Sequence, residues 1–245
     1  MIHRARRNLV SAALLCLLVA PAAEALVVGP TPYSGFAGSP FSGIPFASFQ
    51  LEDFEDGALN VTGVVASAGS ALGPSIGMTD SVENAPDGCN PSGIGGAPNT
   101  CAGSSYYLTV STVTFTFSGA LPTHAGIVWT DVGAEIGGIL DAIADVVFEA
   151  FDENGITLGA IGPVALGDGT AAPMTSEDRF FGAVNAGGIS SITISMPTSE
   201  DWELDHLQFG VIPEPGTATL LAFGLLGLWS RGQRRSRRNP GGSTR

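Results

Sequence analysis

The sequence predicts an all-β protein whose middle is an antiparallel β-sandwich, with a membrane-directed apolar segment at each end. Three observations carry that prediction. Val113-Thr114-Phe115-Thr116-Phe117 and Ile192-Thr193-Ile194-Ser195-Met196 alternate strictly between apolar and polar side chains, the period of a half-buried strand. Apolar runs recur roughly every 8–15 residues between turn signals, the spacing of a sandwich rather than of βαβ units. The turn formers are abundant, with 34 Gly and 16 Pro in 245 residues. With 44% hydrophobic residues and no three-residue glycine period, the composition excludes both a disordered and a collagen-like chain. The length suits one domain of roughly 150–200 residues plus terminal appendages.

Residues 1–25 form a signal peptide. Arg4, Arg6 and Arg7 precede the apolar run Leu9–Ala20, and Ala23-Glu24-Ala25 supplies small residues where a signal peptidase reads them. The run is too short for a stable membrane span. Cys16 follows Leu15 where lipidation needs a small residue, so a lipoprotein is excluded. The exported chain then keeps Cys89 and Cys101, in a stretch rich in Asp, Asn, Pro and Gly. In an oxidising compartment these two form one disulfide closing a short loop, which contributes roughly 3 kcal/mol by restricting the unfolded chain.

The sandwich domain spans 26–210. Besides the two alternating runs, Asp145–Phe151 and Glu203–Val211 are strand-like. Asp152-Glu153-Asn154-Gly155 is a hairpin signal with Ile156–Ile161 as the returning strand. Gly167-Asp168-Gly169 and Ala186-Gly187-Gly188 mark further turns. Only Ile136–Ala144 has the pattern of a helix, of barely two turns.

Charge separates the middle from the ends. All ten basic residues are arginine, and between Leu26 and Ile212 Arg179 stands alone against 21 acids. Such a surface repels phosphate backbones, which excludes nucleic acid as a partner of this domain.

From Val211 onward three parts follow one another. Pro213-Glu214-Pro215 holds the chain extended. Thr217–Trp229 is apolar or small throughout, and Arg231, Arg234, Arg235, Arg237 and Arg238 form a cluster that stays on the cytoplasmic side. As a helix the apolar part spans roughly 20 Å, short of the ~30 Å hydrocarbon core. In this order, over 211–238, the residues closely resemble the PEP-CTERM protein-sorting signal of Gram-negative bacteria that make extracellular polysaccharide. The resemblance implies recognition of Pro213, Glu214 and Pro215 by a membrane-embedded exosortase. Thr217–Trp229 then serves as a transient anchor in the inner membrane and the arginines as a stop-transfer signal. Residues 239–245 form a disordered tail.

The middle is also similar to a recurrent ectodomain of PEP-CTERM proteins. The similarity rests on L-E-D-F-E-D-G, L-P-T-H-A-G-I-V-W-T-D, V-V-F-E-A-F-D-E-N-G, E-D-R-F-F-G and W-E-L-D-H-L-Q-F-G. It covers most of Leu51–Gly210 and implies a jelly-roll-like sandwich at the cell surface or in the exopolysaccharide matrix, without implying an activity.

No catalytic residues are expected. Gly73-Pro74-Ser75-Ile76-Gly77 matches the G-x-S-x-G pattern, yet its flanks lack the strand, helix and downstream acid and His that a nucleophile elbow requires. His124 and His206 lack zinc-motif spacing, and His124 is expected to cap a turn after Pro122. Asp205 shares strand parity with Leu207 and Phe209 and so is expected to point at the core. A bare buried carboxylate is too costly. A structural calcium ion bridging the first and last strands through Glu52 or Asp53 and Asp205 answers that cost, as do backbone N–H groups bonded to Asp205. Trp202, after a polar loop, and Trp129 are candidates for stacking on sugar rings, as are Tyr106 and Tyr107, while aromatics on strands commonly belong to the core. Arg179 is expected in a structural ion pair. The expected role is an exported structural or glycan-binding module that is not an enzyme. The alternatives are a glycan-active hydrolase, which needs a pair of acids in a cleft, and an acidic matrix protein crosslinked by divalent cations.

Overall fold

The computed structural model describes residues 24–72, 82, 103–132, 143–167, 177–212 and 224. The chain divides into two compact units, Met1–Val211 and Ile212–Arg245. Of the second unit only Ile212 and Gly224 are described, and Gly224 is helical. Among the described residues no helix is long and apolar enough to cross a membrane.

The described residues of the first unit form β-strands and loops, with one 3-10 turn at Phe36–Gly38. Its strands are β1 (Leu26–Pro32), β2 (Ser48–Glu52), β3 (Val64–Ala66), β4 (Ser70–Leu72), β5 (Ser105–Leu108), β6 (Thr112–Phe117), β7 (His124–Val132), β8 (Ala144–Phe151), β9 (Thr157–Leu166), β10 (Arg179–Val184), β11 (Ser191–Ser195) and β12 (Trp202–Val211). One antiparallel sheet runs β1-β10-β7-β12-β5-β4, and β2 also pairs with β12. The long β12 divides one edge between two partners: Trp202–Leu204 pairs with β5 and Leu207–Val211 with β2. The other sheet runs β3-β6-β11-β8-β9.

The alternating runs behave as their periodicity requires. Val113, Phe115 and Phe117 of β6, with Ile192 and Ile194 of β11, are buried in the main core. Thr114 and Thr193 lie opposite one another on the other face and share a hydroxyl hydrogen bond of 2.8 Å. Each fully buried side chain of this size contributes roughly 1.5–3 kcal/mol. Between the sheets, Phe148 of β8 and Phe181 of β10 stack with centroids 6.1 Å apart. The predicted hairpin joins β8 to β9. The Asp152 carboxylate accepts the N–H groups of Asn154 and Ile156, each at 2.8 Å, and Gly155 takes φ 73°. The helix expected over Ile136–Ala144 lies mostly outside the described residues, and Ala144 itself opens β8.

Two bulges shape the pairing of β12 with β7. Glu203 faces Asp131 and Leu204 faces Trp129, which leaves Thr130 as an extra residue in β7. Asp205 faces Val128 and Gln208 faces Gly126, so His206 and Leu207 together oppose Ile127. His206 adopts φ 44° at this bulge, a left-handed backbone that only a local distortion of the ladder provides. The bulge reverses the side-chain parity. Trp202 and Leu204 before it, and Leu207 and Phe209 after it, all enter the main core.

A second, smaller core covers the outer face of the first sheet. Residues 33–47 cross that face and place Tyr33 and Phe41 against Val128, Phe180 and Val82. Phe41 meets Phe180 edge-on at 5.0 Å. The Phe180 ring is seated over Gly126, where a Cβ would lie 2.4 Å from it. The crossing segment is tied at both ends, by Tyr33 N–H to the Asp178 carbonyl at 3.1 Å and by Ala47 N–H to the Val211 carbonyl at 2.7 Å.

Candidate functional site

Residues expected to touch a ligand are mostly occupied within the fold. Trp129 and Trp202 are wholly buried. The Trp129 indole N–H points at Met196 Sδ, 3.1 Å away, and that of Trp202 donates to the Val110 carbonyl at 2.7 Å. Neither offers a face to a sugar ring, so the expected stacking on these two side chains is contradicted by their burial. The polar loop before Trp202 gave it a surface context, but the residue opens β12 on its core side. Tyr106 is likewise buried, packed 5.1 Å from Phe54 with its hydroxyl donating to the Ala68 carbonyl.

The proposed calcium ligands do not converge. Glu52 Oε1 accepts Phe54 N–H at 3.1 Å, and Oε2 accepts the N–H groups of Asn60 and Val61 at 2.9 and 3.2 Å. This carboxylate closes the loop between β2 and β3. Asp53 Oδ1 accepts Glu55 N–H at 3.2 Å on the loop's exposed side. Asp205 departs from the expected parity: the His206 bulge turns it away from Leu207 and Phe209 and toward Val128 and the second core. There its oxygens accept Val82 N–H at 2.9 Å and His206 N–H at 2.6 Å. Backbone amides, the alternative to the metal, therefore donate to the buried carboxylate. Among the described residues no three His, Cys, Asp or Glu side chains are grouped so as to hold a metal ion.

Next to Asp205 lies a buried polar chain that the sequence did not reveal. Ser39 Oγ donates to Gln208 Oε1 at 2.6 Å, Gln208 Nε2 donates to the Tyr33 hydroxyl at 2.9 Å, and that hydroxyl lies 2.8 Å from His206 Nδ1. All four side chains are buried. The chain fastens the crossing segment to β12, and the polar spacing of His206 and Gln208 is the only sequence signal that pointed to it. His124 opens β7 rather than capping a turn, with its ring between Phe41 and Phe46, and burial holds its pKa below the usual 6.5. Arg179 donates to the Asp178 carbonyl at 2.9 Å.

Among the described residues, two further places bear on ligand binding. A cleft of about 130 Å³ lies at one end of the sandwich, lined by Ser48, Gln50, Thr62, Phe117, Ser118 and Val211 among others, with no acid in its lining. It is well below the roughly 300–1,000 Å³ of ordinary ligand pockets and holds no carboxylate pair for glycoside hydrolysis. At the opposite end Tyr107 stands beside Asp201 and Glu203. Desolvation, a hydrogen bond to Asp201 and the charges of both acids raise its pKa to about 12. Ser75, Cys89, Cys101, Pro213, Glu214, Pro215, Trp229 and the arginine cluster 231–238 lie outside the described residues. The chain matches no model of a protein family and no curated protein sequence.

Proposed function

We propose that this chain is an exported, non-catalytic structural module of a Gram-negative cell surface or exopolysaccharide matrix, sorted by an exosortase through its C-terminal signal. The observation that carries the reading is the ordered C-terminus: Pro213-Glu214-Pro215, then Thr217–Trp229, then five arginines within eight residues. The charge asymmetry across the apolar run sets its orientation, with the arginines cytoplasmic and the sandwich outside. The N-terminal run with its Ala23-Glu24-Ala25 site supports export, and the cysteine pair suits an oxidising compartment.

The jelly-roll reading is supported by strand order, since successive strands from β5 to β8 and from β9 to β12 alternate between the two sheets. A structural role suits a domain whose tryptophans are internal and whose cleft is small. Its acidic exterior makes it a component that divalent cations in a matrix would bridge, rather than a polyanion binder.

The test is Glu214→Ala in the native host. The variant is expected to stay cell-associated at precursor mass while the parent chain is processed. Release at normal mass would remove the sorting assignment.

A further inference from the structure

The hairpin between β8 and β9 carries a reactive dipeptide at its tip. Asn154 is followed by Gly155, and none of the other asparagines of the chain precedes a glycine. The side-chain carbonyl of an asparagine is open to attack by the backbone nitrogen of the next residue, and a glycine there puts no Cβ in the way. Both residues are exposed, and no atom lies within 4 Å of where a Cβ would stand on Gly155. Solvent and room for a cyclic imide are therefore at hand, and packing does not oppose the reaction.

What opposes it is hydrogen bonding centred on Asp152. Phe151 faces Thr157 across the ladder, so residues 152–156 make the connection. Gly155 N–H, the attacking group, donates to the Asp152 carbonyl at 3.1 Å, and Asp152 N–H donates to the Ile156 carbonyl at 2.9 Å. Asp152 Oδ1 accepts the N–H groups of Asn154 and Ile156 at 2.8 Å each, one on either side of the reacting link. Oδ2 accepts the Asn154 side-chain amide at 3.4 Å, a longer bond that draws the leaving nitrogen back toward Asp152. The Ser190 hydroxyl donates to the same Asp152 carbonyl and ties the turn to the start of β11. The bond from Ile156 N–H leads in holding the Asp152 carboxyl below its usual pKa, so it is charged at neutral pH and accepts strongly.

We propose that Asn154 is a site of spontaneous deamidation gated by Asp152, which keeps the Asn154–Gly155 link intact while the hairpin tip is closed. In the reaction Gly155 N–H gives its proton to solvent and the nitrogen bonds to Asn154 Cγ. The Cγ–Nδ2 bond breaks, Nδ2 takes up a proton, and ammonia leaves. Water then opens the imide at either carbonyl, leaving aspartate or isoaspartate at position 154. Water enters, ammonia leaves, and nothing is oxidised or reduced. A nitrogen that has lost its proton no longer donates, so the first step gives up the bond to the Asp152 carbonyl. Either product adds a carboxylate beside Asp152 and Glu153. The isoaspartyl link also adds a backbone carbon to a connection whose turn fixes the β8–β9 register.

The test follows position 154 in the folded full chain at neutral pH, beside a synthetic peptide of residues 150–158. Deamidation is read by mass in proteolytic peptides, and isoaspartate by enzymatic methylation. The folded chain should react at least about tenfold more slowly than the peptide, because the tip must open first. Asp152→Ala should recover about tenfold, as expected for losing bonds to a charged acceptor, while amides of β6 and β11 keep their exchange protection. Asp152→Asn retains an acceptor oxygen without the charge and should fall between the two. Equal rates in the folded chain and the peptide overturn the proposal, as does a folded Asp152→Ala chain that reacts no faster than the parent. Where Asp152→Ala loses protection in β6 and β11, Asp152→Asn decides: a folded chain no faster than the parent overturns the gate.

Discussion

A phenol beside two carboxylates loses its proton reluctantly, and Tyr107 is the place where the acidity of this domain acts on one identifiable group. Desolvation leads, and Asp201 and Glu203 add to it, so the neutral ring is favoured up to about pH 12. With the folded value above the usual 10, the resulting stabilisation is complete below pH 10 and is lost as pH rises toward 12. Titrating tyrosinate absorbance should show a late component at that pH, and Asp201→Asn should move it downward by removing the charge while leaving a carbonyl oxygen that can accept the phenol's hydrogen bond. An unmoved midpoint would assign the shift to burial and Glu203. Asp205 shows what strand parity conceals at the same scale. Counting by twos from Phe209 and Leu207 places its carboxylate in the main core. Nothing in W-E-L-D-H-L-Q-F-G announces that His206 takes a left-handed backbone and reverses the count. The need for a partner was legible from the burial cost of a carboxylate. The partner itself was not, because backbone N–H groups of Val82 and His206 carry no mark in a sequence.

Elements were legible where local periodicity and turn chemistry agreed. β6 and β11 alternate without interruption, and the Asp152–Gly155 turn uses a carboxylate to gather amides and a glycine to take φ 73°. No atom lies within 4 Å of where a Cβ would stand on Gly155, so its substitution tests backbone preference alone. Gly155→Ala should destabilise the domain by about 1–2 kcal/mol, the left-handed cost for an L-residue, read as a lower urea midpoint at unchanged slope. No loss would mean the hairpin tip refolds into another turn. β1 and the crossing segment were not foreseen. Phe36, Phe41, Phe46 and Phe49 fall at intervals of five, five and three among Gly, Pro and Ser, which fits neither a strand nor a helix period. Their order comes from the sheet beneath them, where Gly126 leaves a seat for the Phe180 ring that Phe41 then meets.

At the scale of the whole first unit, two cores on opposite faces of one sheet raise the question of whether they melt together. The strands between them are shared: Phe180 enters the second core and its neighbour Phe181 the main one, and β12 sends Leu204 one way and Asp205 the other. A strand that loses one core cannot keep its register for the other, because a slip of one residue exchanges the faces. Phe41 is wholly enclosed by the second core, and Phe41→Ala should cost about 3–5 kcal/mol in lost burial and residual cavity. The cost should appear as one cooperative transition displaced to lower urea, with amides of β6 and β11 losing exchange protection together with those of β1. A separate early transition confined to residues 26–47 would instead make the crossing segment an independent cover. The main core would then be self-sufficient, and the crossing segment, with Phe41 and Phe46, could rearrange without unfolding it.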